Sequence, residues 1–358
     1  MNRLIRQLSR LVWSLLGTAS ILADEAKTLP SSTTHESANS ADFFSLIVLP
    51  DTQGYADTRH RETQKHWPKI GDQRACFFGQ TEWIKKNHQV RNIALVTHVG
   101  DITQTEYDEE WKIADAAFKT IEPHIPYVLC SGNHDMGYSP QLRKTCQSRV
   151  SQFSRYFPPS RFTKNPLYDA HFAPEKEGHF REAGKTENYY LYFQASGMDF
   201  LVITLEFKPR DEAIAWANQV AERHPDHRLV VVTHGYLTNK GRLSESDGYP
   251  IKGNSGRAIW EKFVSRHSNI FLVLSGHFGE SQLTSKGRHG NIVHQIQSDY
   301  WYFDLPRIKA GSGFLRILTF CPGEDRIQVE TYSPVLDEFL TRPSSKFSLP
   351  YAMKKKNG

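Results

Sequence analysis

Five apolar runs in this chain each end in side chains that can hold a divalent metal. Residues 43–49 lead to Asp51, with Gln53 two positions on, and 93–99 lead to Gly100-Asp101. Residues 126–130 lead to Gly132-Asn133-His134-Asp135, 228–233 to His234, and 270–275 to Gly276-His277. One Gly-Asn-His-Asp tetrapeptide alone is ordinary turn chemistry, because Asn and Asp favour turns. Five runs ending alike are different: ligand sites in layered α/β folds gather outside strand ends, so these ends are expected to converge. Carboxylate, amide and imidazole groups together suit Zn, Mn or Fe rather than Mg alone or a thiolate site.

The elements that must deliver these residues follow from hydrophobic patterning. The five runs read as buried strands. Helical patterns start near Gln80 and cover about 107–121, 210–223 and 256–267. Strand alternating with helix predicts an α/β layered fold. Runs 189–194 and 200–205 flank Gly197 as a hairpin, and runs 292–297, 314–320 and 327–332 complete the strands. Residues 139–186, rich in Pro, Arg and aromatics, read as an insertion rather than core.

With 39% hydrophobic and 12% aromatic residues, the 358-residue chain can bury a large core. Its 44 basic and 39 acidic residues leave a formal charge of +5, part of it at the two ends. No basic stripe runs through the sequence, so no specific nucleic-acid partner is expected and the bias is mildly toward anionic partners. Basic residues precede the apolar stretch 11–23, and Asp24-Glu25 follow at once. Residues 1–23 therefore read as a secretory signal, which predicts an exported protein with no stable membrane span after cleavage. Residues 24–41 read as a flexible linker, 42–335 as one domain and 336–358 as a C-terminal tail. Export permits disulfides. Cys76 and Cys146, in polar stretches, are the expected pair, with Cys130 and Cys321 as buried thiols; four cysteines still leave three pairings open.

The order Asp-x-Gln, Gly-Asp, Gly-Asn-His-Asp, His-Gly, Gly-His resembles the calcineurin-like metallophosphoesterase superfamily, in a branch with an Asp-x-Gln first motif. The likeness covers residues 42–335. It implies an α/β fold, a two-sheet sandwich flanked by helices, around two divalent metal ions (Mn, Zn, Fe or Mg). Mapped motif by motif, Asp101 would bridge both ions, Asn133, His234 and His277 would complete the second site, and Asp51 and Gln53 would serve the first. His134 would stabilise or protonate the leaving oxygen, with Asp135 orienting its ring. The chemistry agrees with the resemblance. A phosphoester's charge repels hydroxide, and two ions roughly 3.5–4 Å apart lower the pKa of a bound water and clamp the phosphoryl oxygens. The implied activity is attack by a metal-bound hydroxide on an anionic phosphoester, a phosphomonoester or small phosphodiester.

Two positions depart from the family pattern. Where the family carries His, this chain has Gln53 and Gly279, and both losses fall on the first site. Gln53 still offers an amide oxygen, whereas Gly279 offers no side chain. The first site is expected to be weaker or differently built, and better suited to Mn²⁺ or Mg²⁺ than to Fe. His98, His289 and His294 are candidate replacements. His294 is preferred, because Val293-His294-Gln295 resembles a Val-His-Gln of the Asp-x-Gln branches. Two alternatives stay open: a single-metal binding protein of the same fold, and an exported nuclease. Arg59, His60, Arg61, Lys65 and His66 read as a solvated loop or a basic rim. Tyr55, Trp67 and Tyr236 read as packing or a substrate wall, and Glu280, Asp299 and Tyr300 stay unassigned.

Overall fold

A computed structural model describes residues 43–57, 73–169, 171, 179–301 and 312–353. One sheet is built from β1 (Phe44–Leu49), β2 (Ile93–His98), β3 (Tyr127–Leu129), β10 (Leu315–Cys321), β11 (Arg326–Ser333), β12 (Glu338–Leu340) and β13 (Phe347–Pro350). Its order is β12-β11-β10-β1-β2-β3, with β13 also on β11. The other holds β4 (Tyr189–Ala195), β5 (Met198–Thr204), β6 (Arg228–Val232), β7 (Ile270–Ser275), β8 (Ser281–Lys286) and β9 (Ile292–Gln297), in the order β4-β5-β6-β7-β9-β8. The longer helices are α1 (Gln53–Ala56), which is a single turn, α2 (Arg74–Asn87), α3 (Asp108–Ile121), α4 (Phe153–Tyr156), α5 (Pro159–Thr163), α6 (Asp211–Arg223) and α7 (Gly256–Lys262).

Continuous apolar runs are required because the central strands are covered on both faces; β1 is buried at every residue. Alternate residues of the second sheet go to different partners. Phe200, Val202, Val230, Val232 and Leu272 join Leu46, Ile317 and Leu318 of the first sheet in one core. Leu201, Ile203, Leu229 and Val231 instead meet Ile214, Ala217 and Val220 of α6 and Ile259 of α7. Trp111, Ala114, Phe118 and Ile121 form the buried stripe of α3, spaced three to four residues apart. The hairpin at Gly197 is present: Ser196 (φ 48°) and Gly197 (φ 68°) are both left-handed, as a type I′ turn demands.

Strand direction decides where chemistry can gather. β1, β2 and β3 are parallel, and so are β5, β6, β7 and β9, so within each sheet their C-terminal ends share one edge.

Several expectations need correcting. Within the stretch 139–186, residues 153–162 are not peripheral: Phe153, Phe157 and Phe162 pack edge-on around Trp111, Phe118 and Tyr127 in the main core, so these aromatics are packing. The expected tail from residue 336 supplies β12 and β13, with Leu349 buried against the sheet. The Cys76–Cys146 disulfide is not formed. The two cysteines lie in separate hydrophobic clusters, Cys76 in the main core and Cys146 with Met136 and Phe207. No helix among the described residues is long and apolar enough to cross a membrane. The expected signal and linker, Trp67 and the Arg59–His66 cluster lie outside the described residues.

Candidate metal centre

Asp101, Asn133, His234 and His277 meet where β2, β3, β6 and β7 end. The His234 ring donates from Nδ1 to the Val99 carbonyl at 2.8 Å, which turns a bare Nε2 inward. That Nε2 lies 3.1 Å from Asn133 Oδ1 and 3.2 Å from Asp101 Oδ2. Three acceptors facing one another at such distances need a proton or a cation between them. Asn133 presents its oxygen because its Nδ2 donates to the Tyr249 hydroxyl at 2.8 Å. Among the described residues, the buried Nε2 of His277 has no hydrogen-bond partner. One ligand atom from each of Asp101, His234 and His277 lies within 4.8 Å of the others. A carboxylate, an amide oxygen and two imidazoles so arranged fit a divalent transition metal.

The electrostatics agree. Burial, with His234 beside it, pushes the His277 imidazole down to about 3, so it is a neutral ligand at working pH. Burial alone would lower His234 too, but the Asp101 carboxylate outweighs it and holds His234 above its ordinary value. Burial would raise Asp101, yet His234, His134 and His277 together hold it well below the usual carboxylate range.

Close approach explains two of the motif glycines. A Cβ on Gly132 would sit 2.1 Å from Asp101 Oδ1, and one on Gly276 would sit 2.1 Å from Asp51 Oδ1. Each carboxylate is tucked beneath the end of another strand, Asp101 beneath that of β3 and Asp51 beneath that of β7 in the other sheet. The His134 amide donates to Asp101 Oδ1 at 2.8 Å, and the His277 amide donates to both Asp51 oxygens at 3.1 and 3.2 Å. Asp101 (φ 52°) and His277 (φ 84°) both take the left-handed backbone that residues other than Gly rarely adopt.

Asp135 does not orient the His134 ring. Its buried carboxylate accepts the Ile102, Thr103 and Gly132 amides and the Thr103 hydroxyl at 2.8–3.0 Å, so it ties the backbone that follows Asp101 to the Gly132 turn. The His134 ring is held instead by its Nδ1, which donates to the Gln104 carbonyl at 2.8 Å. Gln53 reaches the site, with Nε2 donating to Asp101 Oδ2 at 3.2 Å.

None of the candidate replacement histidines offers a spare nitrogen toward Asp51. His98 is engaged by the Thr52 hydroxyl at 3.0 Å and by the Gly100 amide at 3.2 Å. His294 sits mid-strand in β9 between the Thr284 hydroxyl and the Pro350 carbonyl, and His289 bonds the Arg266 carbonyl. Tyr55 and Tyr236 are fully buried packing. Glu280 is a structural acid, ion-paired with the buried Arg316 at 3.1 Å.

A cleft of about 580 Å³ opens beside the centre, lined by Gln104, His134, Tyr138, Arg143, Lys144 and Tyr249 among others. A larger cavity of about 680 Å³ lies at the opposite edge, where β6, β7 and β9 begin, and touches none of Asp51, Gln53, Asp101, Asn133, His234 and His277. Chemistry assigns the smaller one. Tyr249 and Gln104 carried no motif. Their loops give no periodic signal, and only the fold brings them to Asn133 and His134.

The model of the calcineurin-like phosphoesterase family matches residues 44–280. Over 306 residues the chain is 30% identical to the uncharacterized protein YvnB of Bacillus subtilis (strain 168), a stretch amounting to 83% of this chain and 20% of YvnB. Over 154 residues it is 23% identical to acid phosphatase type 7 of Danio rerio, covering 42% of this chain and 31% of that protein. It thus spans well under half the length of either relative. Among solved structures, it is similar to GAP50, the anchor in the inner membrane complex of Plasmodium, with 11% identity, a TM-score of 0.43 and coverage of 88% and 90% of the two chains. It is also similar to a protein serine/threonine phosphatase from Saccharomyces cerevisiae, with 13% identity, a TM-score of 0.28 and coverage of 80% and 75%.

Proposed function

The chain belongs to the calcineurin-like phosphoesterase family, and from that premise we propose that it hydrolyses a small phosphomonoester or phosphodiester at a centre of two divalent metals. The observation that carries this reading is the set of inward acceptors: His234 Nε2, Asn133 Oδ1 and Asp101 Oδ2 within 3.2 Å, beside the unpartnered Nε2 of His277. These four residues would hold one ion, and Asp51 and Gln53, with Asp101 shared, the other. Bound there, divalent ions lower the pKa of water and neutralise phosphoryl oxygens.

The protein's own groups supply orientation and a proton. Asp101 is fixed through both oxygens, Oδ1 by the His134 amide and Oδ2 by the Gln53 side chain, so one carboxylate faces two places at once. His134 lines the cleft with Nδ1 committed to Gln104, which leaves Nε2 as the ring atom able to hand a proton to a departing oxygen. Arg143 and Lys144, exposed on the cleft wall, favour an anionic substrate. Export is part of the proposal on the strength of residues 1–23 alone.

Purified protein supplied with Mn²⁺ should hydrolyse p-nitrophenyl phosphate or its bis-ester, lose the activity to EDTA, and regain it when Mn²⁺ is restored. Turnover indifferent to chelator, or surviving in Asp101→Asn, would overturn the proposal.

A further inference from the structure

β9 brings a sixth strand end to the centre. It runs parallel to β7 with Ser275 opposite Gln297, and the ladder continues as the Ser298 amide donates to the Ser275 carbonyl at 2.8 Å. Asp299 therefore emerges beside His277, one strand over. Asp299 is 2% exposed, and among the described residues its carboxylate accepts from backbone amides, Gly279 at 3.1 Å and Trp301 at 3.4 Å. Asp51 is held in the same way by the His277 amide, two residues before Gly279 on the same loop. One loop thus pins two buried carboxylates. No Lys or Arg among the described residues bonds either of them, and burying uncompensated carboxylates is costly.

A second observation points to what compensates them. Gln53, 3% exposed, donates from Nε2 to Asp101, while its Oε1 is buried without a partner. A bare amide oxygen on a side chain that bonds Asp101 and lies two residues after Asp51 is an acceptor suited to a cation, not to another acceptor.

We propose that Asp299 is a ligand of the first metal, and that with Asp51 and the Gln53 amide oxygen it makes an all-oxygen site selective for a hard ion such as Mn²⁺ or Mg²⁺. The inference rests on the metal-dependent reading above. Asp299 substitutes a carboxylate from β9 for side chains that Gln53 and Gly279 do not supply. Oxygen-only donors favour Mn²⁺ or Mg²⁺ over Zn²⁺, in contrast with the imidazole pair a few ångströms away.

Metal content tests it directly. Wild-type protein equilibrated with Mn²⁺ should hold two ions per chain and show the exchange-coupled EPR spectrum of a Mn pair. Asp299→Asn, which keeps an oxygen for the Gly279 amide, should hold one tightly, with first-site affinity at least 10-fold weaker and an isolated six-line signal. Two ions bound with unchanged affinity in a folded Asp299→Asn would overturn this inference and leave the hydrolase reading standing. Wild-type protein that binds no ion would sink both. Should Asp299→Asn fail to fold, anomalous diffraction from wild-type crystals soaked in Mn²⁺ decides: a peak within about 2.5 Å of an Asp299 oxygen supports the assignment, and its absence there refutes it.

Discussion

The two halves of the centre are positioned by the same device and furnished with opposite chemistry. In each, a carboxylate at the end of a parallel strand is tucked under a motif glycine and gripped by the following amide: Asp101 under Gly132, Asp51 under Gly276. Around Asp101 the donors are two imidazoles and an amide. Around Asp51 the proposed donors are oxygen only, from Gln53 and Asp299. Parallel strand ends fix where the ligands meet, but donor softness is chosen residue by residue. One fold can therefore hold a borderline ion and a hard ion side by side.

Asp101 belongs to both halves, so it is where the comparison breaks hardest. Loss of a group that merely supports a ligand commonly costs 10–100-fold, so Asp101→Asn should lower kcat/KM by more than about 100-fold, with an unchanged circular-dichroism spectrum. A loss below tenfold would mean the halves are not joined through this residue. Next in size are substitutions that strip one half only. His277→Ala should weaken Zn²⁺ binding by about 10–100-fold while sparing Mn²⁺ on the other side, and Asp51→Ala should do the reverse. Competition against a chromophoric chelator separates the two, and parallel losses of both metals would erase the distinction.

Protons probe the same contrast more gently. Asp101 is held ionised and His277 is held neutral down to about 3, so His234 alone, raised above the ordinary ~6.5, competes with an ion in the imidazole half. The oxygen half has two candidates: burial, with Asp299 and then Asp101, raises Asp51, and burial raises Asp299 to about 6. Because the protonated forms bind no metal, affinity in both halves should rise with pH, by about tenfold per unit for each proton displaced. Calorimetry near pH 6 in buffers of different ionisation enthalpy should find at most one proton released by Zn²⁺ in Asp51→Ala and a measurable release by Mn²⁺ in His277→Ala; no release in the second would remove the raised carboxyls from the oxygen half.

How far the sequence could be read follows the same division. The imidazole half was legible because its residues close continuous apolar runs, such as Leu229 to Val232 and Ile270 to Leu274, that burial on both faces demands. Asp299 was not. β9 reads Ile-Val-His-Gln-Ile-Gln, and nothing in that mixed run says that it pairs with β7 in parallel rather than forming only a hairpin with β8. Pattern likeness favoured His294, which lies five residues too early on the strand. Asp135 shows a second limit. Being adjacent to His134 in sequence says nothing about direction, and its side chain turns to the Ile102–Thr103 backbone. The aromatics of 153–162 belong to the core through contacts with α3 and β3 that no local period encodes.

The smallest effect is the most discriminating about what supports the imidazole half. The Tyr249 hydroxyl accepts from Asn133 Nδ2, and burial keeps that hydroxyl well above the usual tyrosine range and therefore neutral. Tyr249→Phe removes one hydrogen bond, about 0.5–1.5 kcal/mol or roughly 2- to 10-fold, and frees the amide to turn its nitrogen inward. Because Tyr249 also lines the cleft, two outcomes are separable. If it positions Asn133, Zn²⁺ affinity falls by that factor, Mn²⁺ affinity in the oxygen half is unmoved, and KM changes little once metal is saturating. If KM rises while Zn²⁺ affinity holds, the hydroxyl serves the substrate instead, and Asn133 is fixed in the imidazole half by His234 alone.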